Sequence, residues 1–241
     1  MDLSLIIPAY NEEKLIAKTL ASVMMSKKYF ERKTGKSMEV ILVDNNSYDN
    51  TVKIAEKYDI KIVSENQHNI AVVRNTGAKN ASGRVLCFLD ADSEVSQNIF
   101  YLIHKYMSSG KYIGGGVKFK LDRRNLTFIL IFIASVFTTH ITRLSGVLIY
   151  TSNEFYRQLG GFRENYYAAE DIDFILRMSK LAKQKGKKYK NIYNGVVVTS
   201  SRKFKSLSFT DIFMQGGLLL HKQLRENPEK CRQWYDSDIH R

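Results

Sequence analysis

Three observations predict an α/β protein with a mainly parallel sheet flanked by helices. Strand-length apolar runs alternate with helical patterns through the first half of the chain, the spacing that βαβ units produce. Acidic residues stand where those runs end: Asp44 closes the run from Val40, Asp90 and Asp92 close the run from Val85, and Glu170-Asp171 opens a later helical segment. In an open α/β sheet, strand ends face the ligand crevice. Finally, 241 residues with a hydrophobic fraction of 44% suffice for one domain with a full core.

The first half supplies most of the sheet. Leu3 to Ile7 reads as a buried strand, and Glu12 to Ser26 as a helix with Ile16, Leu20, Val23 and Met24 on one face and Asn11 as its cap. Met38 to Asp44 is the second strand. A polar turn from Asn45 to Asn50 leads into a short helix, Thr51 to Tyr58. Ile60 to Val63 is a third strand, Ile70 to Asn80 a helix, Arg84 to Leu89 a fourth strand and Ser96 to Ser108 a helix.

The second half is less regular. Tyr112 to Lys120 reads as a strand loosened by Gly114-Gly115-Gly116. Leu126 to Phe137 is strongly apolar but shorter than the roughly 20 residues that span a bilayer, so it reads as a core helix or an interfacial segment. Gly146 to Thr151 is a strand, followed by a helix from Asn153 that stops at Gly160-Gly161. Ala168 to Gln184 is an amphipathic helix, Ile192 to Ser200 a strand, and Phe209 to Leu224 a terminal helix. The expected layout is one domain over residues 1–205 with a helical extension over 206–241.

Composition narrows the partners. The chain carries 37 basic and 24 acidic residues, a net charge of +13, which favours an anionic partner: phosphorylated substrates, an acidic membrane face or nucleic acid. No nucleic-acid motif accompanies the charge, so nucleic acid is not expected. Phe174 to Thr210 contains ten basic residues and no acidic one. That stretch is a solvated basic face, a surface for an anionic bilayer, or, at Arg202-Lys203, a lid over a diphosphate. Cys87 and Cys231 are the only cysteines, too few for a disulfide framework. The N-terminal segment shows no charged leader or small-residue cleavage site, so a cytoplasmic setting is expected, with peripheral attachment to the membrane face as an extension of it.

The acidic stations carry the chemistry. Asp90-Ala91-Asp92 at a strand exit offers hard oxygen ligands for Mg²⁺ or Mn²⁺ and leaves positions open for diphosphate oxygens; otherwise it is a solvated turn. Asp44, followed by an Asx-rich turn, either accepts from a base N–H or serves that turn alone. Tyr10 and Glu12, just past the first strand, can contact a base or ribose. Arg74 sits in a helix, at the surface or on a phosphate, with Gly77 and Ala78 small enough to bring that helix close to the sheet. Glu170 and Asp173 share a helix face while Asp171 points elsewhere. His221 is either a structural histidine or a further metal ligand.

Taken together, these motifs resemble glycosyltransferase family 2, the inverting enzymes of the GT-A fold. The resemblance rests on Ile-Ile-Pro-Ala-Tyr-Asn-Glu at 6–12, Val-Asp-Asn-Asn-Ser-Tyr-Asp-Asn-Thr at 43–51 and Arg-Asn-Thr-Gly-Ala at 74–78. It continues through Ser-Gly-Arg-Val-Leu-Cys-Phe-Leu-Asp-Ala-Asp at 82–92, Gly-Gly-Phe at 160–162 and Glu-Asp-Ile-Asp at 170–173. It implies that Pro8, Tyr10, Glu12 and Asp44 line a nucleotide pocket, with Arg74 near the nucleotide or its phosphates. It implies a metal held mainly by Asp92, with Asp90 toward the ribose or sugar, and Asp171 as the catalytic base with Glu170 as its competitor. The implied substrates are a nucleotide-sugar, UDP expected and GDP open, and an acceptor hydroxyl, on a lipid-linked or cell-surface glycan precursor. Two rivals remain. A sugar-1-phosphate nucleotidyltransferase would want a Gly-rich basic loop where Pro8 to Glu12 stands. A non-catalytic nucleotide-sugar-binding or membrane-associated subunit would keep binding and lose turnover. A dinucleotide oxidoreductase is excluded by the missing G-x-G-x-x-G.

Overall fold

The computed structural model of the protein describes residues 1–122, 147–202, 226–227 and 231. Eight strands form one sheet: β1 (Leu3–Ala9), β2 (Met38–Asp44), β3 (Lys61–Ser64), β4 (Val85–Leu89), β5 (Ser93–Val95), β6 (Tyr112–Leu121), β7 (Leu148–Ser152) and β8 (Lys188–Thr199). Their order across the sheet is β3-β2-β1-β4-β7-β6-β8-β5. β1, β2, β3 and β4 pair in parallel, and β6 pairs in parallel with β8. β7 runs against β4 and β6, and β5 runs against β8. The expected mainly parallel, mixed sheet is what is found. The helices are α1 (Ile16–Thr34), α2 (Thr51–Ala55), α3 (Ile70–Lys79), α4 (Ile99–Met107), α5 (Asn153–Gln158) and α6 (Glu170–Gln184).

Both faces of the central strands are buried. Leu5 and Ile7 join Leu20, Val23 and Phe30 of α1 on one side, while Ile6, Ile41 and Val43 join α3 and α6 on the other. A strand covered on both faces has no polar alternation to show, and for that reason these runs read as continuously apolar.

β1 is the pivot. The chain steps from β1 outward to β2 and β3, then returns to place β4 on the other side of β1. The β1–β4 ladder ends at Ile6–Phe88, whereas β1–β2 continues to Ala9–Asp44. A crevice therefore opens at the carboxyl ends of β1 and β4, the switch point where open α/β sheets bind ligands. Pro8 lies beyond the β4 pairing, where a missing N–H is tolerated.

Several boundaries differ from the sequence expectation. α1 starts at Ile16 rather than Glu12, and Asn11 does not cap it but adopts φ 52°. The N–H groups of Asn11, Glu12 and Glu13 are instead taken by Ser47 Oγ, Thr51 Oγ1 and Asp49 Oδ2. α1 also runs to Thr34, because Phe30 is fully buried and Gly35 closes the helix in the left-handed region with its N–H on Glu31 O. β8 begins at Lys188 rather than Ile192, and α4 begins at Ile99 after the unexpected short strand β5. Gly77 does bring α3 close: a Cβ there would lie 2.3 Å from Ile6 Cγ2 and 2.9 Å from Val43 Cγ2. The apolar run from Leu126 to Phe137, Lys203, His221 and the expected terminal helix lie outside the described residues. Among the described residues, no helix is long and apolar enough to cross a membrane.

Candidate active site at the sheet's carboxyl edge

The loops after β1 and β2 build one wall of the crevice together. Besides the three bonds from residues 11–13, Tyr48 N–H donates to Asn11 Oδ1 (3.0 Å), and the Asn50 side-chain amide donates to Glu13 Oε2 (2.9 Å). Asp44 Oδ1 accepts from Ser47 N–H (3.2 Å), so this carboxylate does serve the turn that follows it. Asn45, next along, donates to the carbonyls of Ala9, Glu65 and Gln67. Tyr10 stands in this wall with its ring edge-on to Tyr48 and His68. Burial and the neighbouring Tyr48 raise the Tyr10 phenol pKa, with Asn11 opposing. Glu12 is buried and does not face the crevice alone: Oε2 accepts from Arg202 Nη2 at 2.7 Å.

Arg74 lies at the centre. α3 carries it into the protein rather than onto its surface, and its side chain is only 6% exposed. One Nη donates to Asp90 Oδ1 (3.0 Å) and the other to Glu170 Oε1. The guanidinium lies 5.3 Å from the centre of the Phe162 ring, close enough for a cation–π contact. Burial works against its charge, but Glu170, Asp90 and Asp171 more than offset that and raise its pKa above the usual arginine value.

Below Arg74 is an aromatic floor. Phe162 packs on Phe88 of β4 (4.9 Å between ring centres) and on Phe174 of α6 (4.5 Å). The turn carrying Phe162 needs both glycines before it. Gly160 and Gly161 have φ of 72° and 71°, and a Cβ on Gly161 would meet Asn75 Oδ1 at 2.8 Å. Asn75 grips that turn. It accepts from Phe162 N–H (2.9 Å) and the Tyr156 hydroxyl (2.5 Å), and it donates to Phe162 O (2.9 Å) and Glu164 Oε1 (2.8 Å). Asn69 caps α3 through Oδ1 and donates to the carbonyls of Glu164 and Tyr166. Asn75 is marked in the sequence only by its place in the Arg-Asn-Thr-Gly-Ala motif, and nothing in the sequence marks Asn69.

The three acids at the start of α6 divide their work. Asp173 is buried between Arg177 Nε (2.7 Å) and Arg163 Nη1 (3.3 Å), and Arg177 in turn donates to the carbonyls of Leu159 and Gly161. It is a structural residue. Glu170 is 5% exposed. Burial pushes its carboxyl up to about 7; Arg74 pulls it down and Asp171 adds to the rise. Asp171 is half-buried, and among the described residues its one hydrogen bond is at Oδ1, from Ile172 N–H (2.7 Å).

At the exit of β4, Asp90 is partly exposed beside Arg74, and Asp92 is 7% exposed. Asp92 Oδ1 accepts from the hydroxyls of Thr199 and Ser93, each at 3.3 Å, and its carbonyl accepts from Ser200 N–H (3.2 Å). The end of β8 therefore braces Asp92, a role for Thr199 that the sequence did not suggest. No group of three or more His, Cys, Asp and Glu side chains forms a metal cluster among the described residues. Two neighbouring carboxylates still suit Mg²⁺ or Mn²⁺, which commonly take one or two protein carboxylates and complete their shell with water and substrate phosphates. Asp92, buried and braced, with Asp90 two residues before it in the chain, fits that donor set.

A last contribution comes from the far end of the chain. Glu226 Oε1 accepts from Asn165 Nδ2 (2.6 Å), and Cys231 is buried against Ala168 with Tyr167 nearby. Burial, then Glu170, raises the Cys231 thiol pKa. These residues of the extension thus sit beside the start of α6.

The model of "Glycosyl transferase family 2" matches residues 4–169. The chain belongs to that family. It is 37% identical to the glycosyltransferase AglE of Haloferax volcanii over 100 residues, 39% of this chain and 31% of AglE. It is also 37% identical over 93 residues to WfgD of Escherichia coli, named a UDP-Glc:α-D-GlcNAc-diphosphoundecaprenol β-1,3-glucosyltransferase, covering 37% of this chain and 34% of WfgD. The matched segment is thus about a third of each relative's length. The solved Staphylococcus aureus TarS fragment with UDP-GlcNAc superposes with a TM-score of 0.66 at 18% identity, over 97% of this chain and 69% of that one. The Pyrobaculum calidifontis mannosyltransferase PcManGT with GDP-Man and Mn²⁺ gives 0.63 at 18% identity, over 96% and 68%. The fold is GT-A, as expected.

Proposed function

We propose that this protein is an inverting, metal-dependent glycosyltransferase that moves a sugar from a nucleotide-sugar, most naturally a UDP-sugar, to an acceptor hydroxyl. The observation that carries this reading is the Arg74 bridge. It brings Asp90 at the end of β4 and Glu170 at the start of α6 to one guanidinium, so the donor-side and acceptor-side carboxylates border a single crevice.

Pro8, Tyr10, Glu12 and Asp44 take the nucleotide. Asp92, with Asp90, would hold Mg²⁺ or Mn²⁺, which when bound neutralises the diphosphate's growing charge. Asp171 takes the acceptor proton as the acceptor oxygen attacks the anomeric carbon; the bond to the diphosphate breaks and its electrons stay on the leaving phosphate oxygen. Engagement of Glu170 by Arg74 supports giving the base role to Asp171. Arg202 would turn from Glu12 to the diphosphate as the donor enters, with the neighbouring Lys203 adding charge to that lid.

A lipid-linked acceptor is supported by the likeness to WfgD, whose name specifies a diphosphoundecaprenol acceptor. A bilayer contact would then belong at the Arg202 edge. The lysines from Lys183 to Lys190 flank the start of β8, at the opposite end of the sheet from Thr199 and roughly 30 Å away along the paired β6 at about 3.3 Å per residue. The test is calorimetric titration with UDP and GDP, with and without Mn²⁺. Mn²⁺-dependent UDP binding that Asp92→Asn removes is the expected result. A GDP preference would change the donor. No binding to either by folded protein would overturn the donor site.

A further inference from the structure

Resting on that donor reading, we propose that Tyr48 and His68 form, with Tyr10, an aromatic bracket that grips the base of the donor nucleotide. The three rings come from three loops: after β1, after β2, and between β3 and α3. Tyr10 meets His68 at 5.3 Å and 77°, and Tyr48 at 6.4 Å and 84°, the edge-to-face geometry that aromatic rings favour.

The bracket is wet but held. Tyr48 is 64% exposed, among the most exposed large apolar side chains described, and His68 is exposed as well. Yet their backbones are fixed. Tyr48 N–H is bonded to Asn11 Oδ1, and the preceding Ser47 hydroxyl accepts from Asn11 N–H. His68 lies between Gln67, whose carbonyl accepts from Asn45 Nδ2 (3.0 Å), and Asn69, the buried cap of α3. Asn11 reaches its position through a left-handed φ of 52°, a conformation asparagine tolerates better than most residues. Rigid aromatic faces left open to water are what a stacking platform for a base requires, since little ordering remains to oppose binding.

The strand order indicates which ligand part comes here. Asp92 and Arg74 place the phosphate end over β4 and β1. Tyr10 follows β1 itself, and Asp44, Tyr48 and His68 belong to the ends of β2 and β3, on the other side of that pivot. A nucleotide laid across the carboxyl edge with its phosphates at Asp92 puts its base against the open faces of these rings, with Asp44 as acceptor for a base N–H.

The experiment compares UDP with inorganic pyrophosphate, both with Mn²⁺, on the wild type and on Tyr48→Ala, Tyr48→Phe and His68→Ala. Both positions are exposed, so folding should be unaffected, and circular dichroism checks that. The bracket predicts that Tyr48→Ala weakens UDP binding about tenfold, as loss of one stacking face does, and that His68→Ala weakens it by a smaller factor. Tyr48→Phe should bind UDP like the wild type, and pyrophosphate affinity should stay unchanged throughout. Unchanged UDP affinity in both alanine variants would overturn the bracket and leave the donor site standing. So would equal losses for UDP and pyrophosphate. A wild type that binds neither UDP nor GDP would overturn the donor reading and this proposal with it.

Discussion

The exit of β4 and the start of α6 come from distant parts of the chain, yet each presents two neighbouring acids and is treated alike. At β4, Arg74 takes Asp90; at α6, it takes Glu170. The second member of each pair is held by small local groups: hydroxyls for Asp92, its neighbour's N–H for Asp171. Burial separates the two regions. Asp90 is 30% exposed at its side chain and Glu170 only 7%, so the same arginine serves a solvated acid on one side and a buried one on the other. One cation thereby ties an acid from each region into the same frame.

The largest effect should follow from removing the cation. Arg74→Met leaves Glu170 buried without its partner, and losing one member of a buried ion pair costs about 3–5 kcal/mol. Urea denaturation should show that loss, and a change below about 1 kcal/mol would mean the bridge does not hold the two regions together. Next is the buried acid. Its folded carboxyl keeps its proton up to about 7, against an ordinary value of 4.5. The folded state therefore binds the extra proton between those values. Stability from this group is full below about 4.5 and is lost as pH rises toward 7. Glu170→Gln should flatten that slope in melts between pH 4.5 and 7.5; an unchanged slope would assign it to other groups. The smallest effect tests the brace. Thr199→Val removes one hydroxyl from Asp92 and should weaken Mn²⁺-dependent UDP binding by a few fold, with Thr199→Ser restoring it, at the roughly 1 kcal/mol of a single hydrogen bond.

The same contrast separates what was legible in the sequence from what was not. Asp44, Asp90 and Asp92 could be placed because a strand buried on both faces reads as an unbroken apolar run, and its end is visible. The β2 boundaries follow directly, Met38–Asp44. Glu170 and Asp173 separate from Asp171 by helical periodicity alone, and their shared face is the buried one, with Asp171 half-buried. Arg74 was ambiguous, because its partners lie 16 and 96 residues away and no local pattern reports such contacts. Asn11 was read as a helix cap, since a cap and a cross-loop tie use the same amide. β5 is three residues long, too short for any periodicity. Thr199 was hidden for the opposite reason: it looks like an ordinary strand threonine, and only the β5–β8 pairing brings it to Asp92.

The division of labour between the two acidic pairs is tested most directly by Asp171→Asn, with UDP binding and sugar transfer followed on the same preparation. UDP affinity should stay within about twofold of the wild type while the transfer rate falls by at least about a hundredfold, the scale of a general base. Transfer near the wild-type rate would remove Asp171 from the chemistry and return the base role to the acid that Arg74 holds.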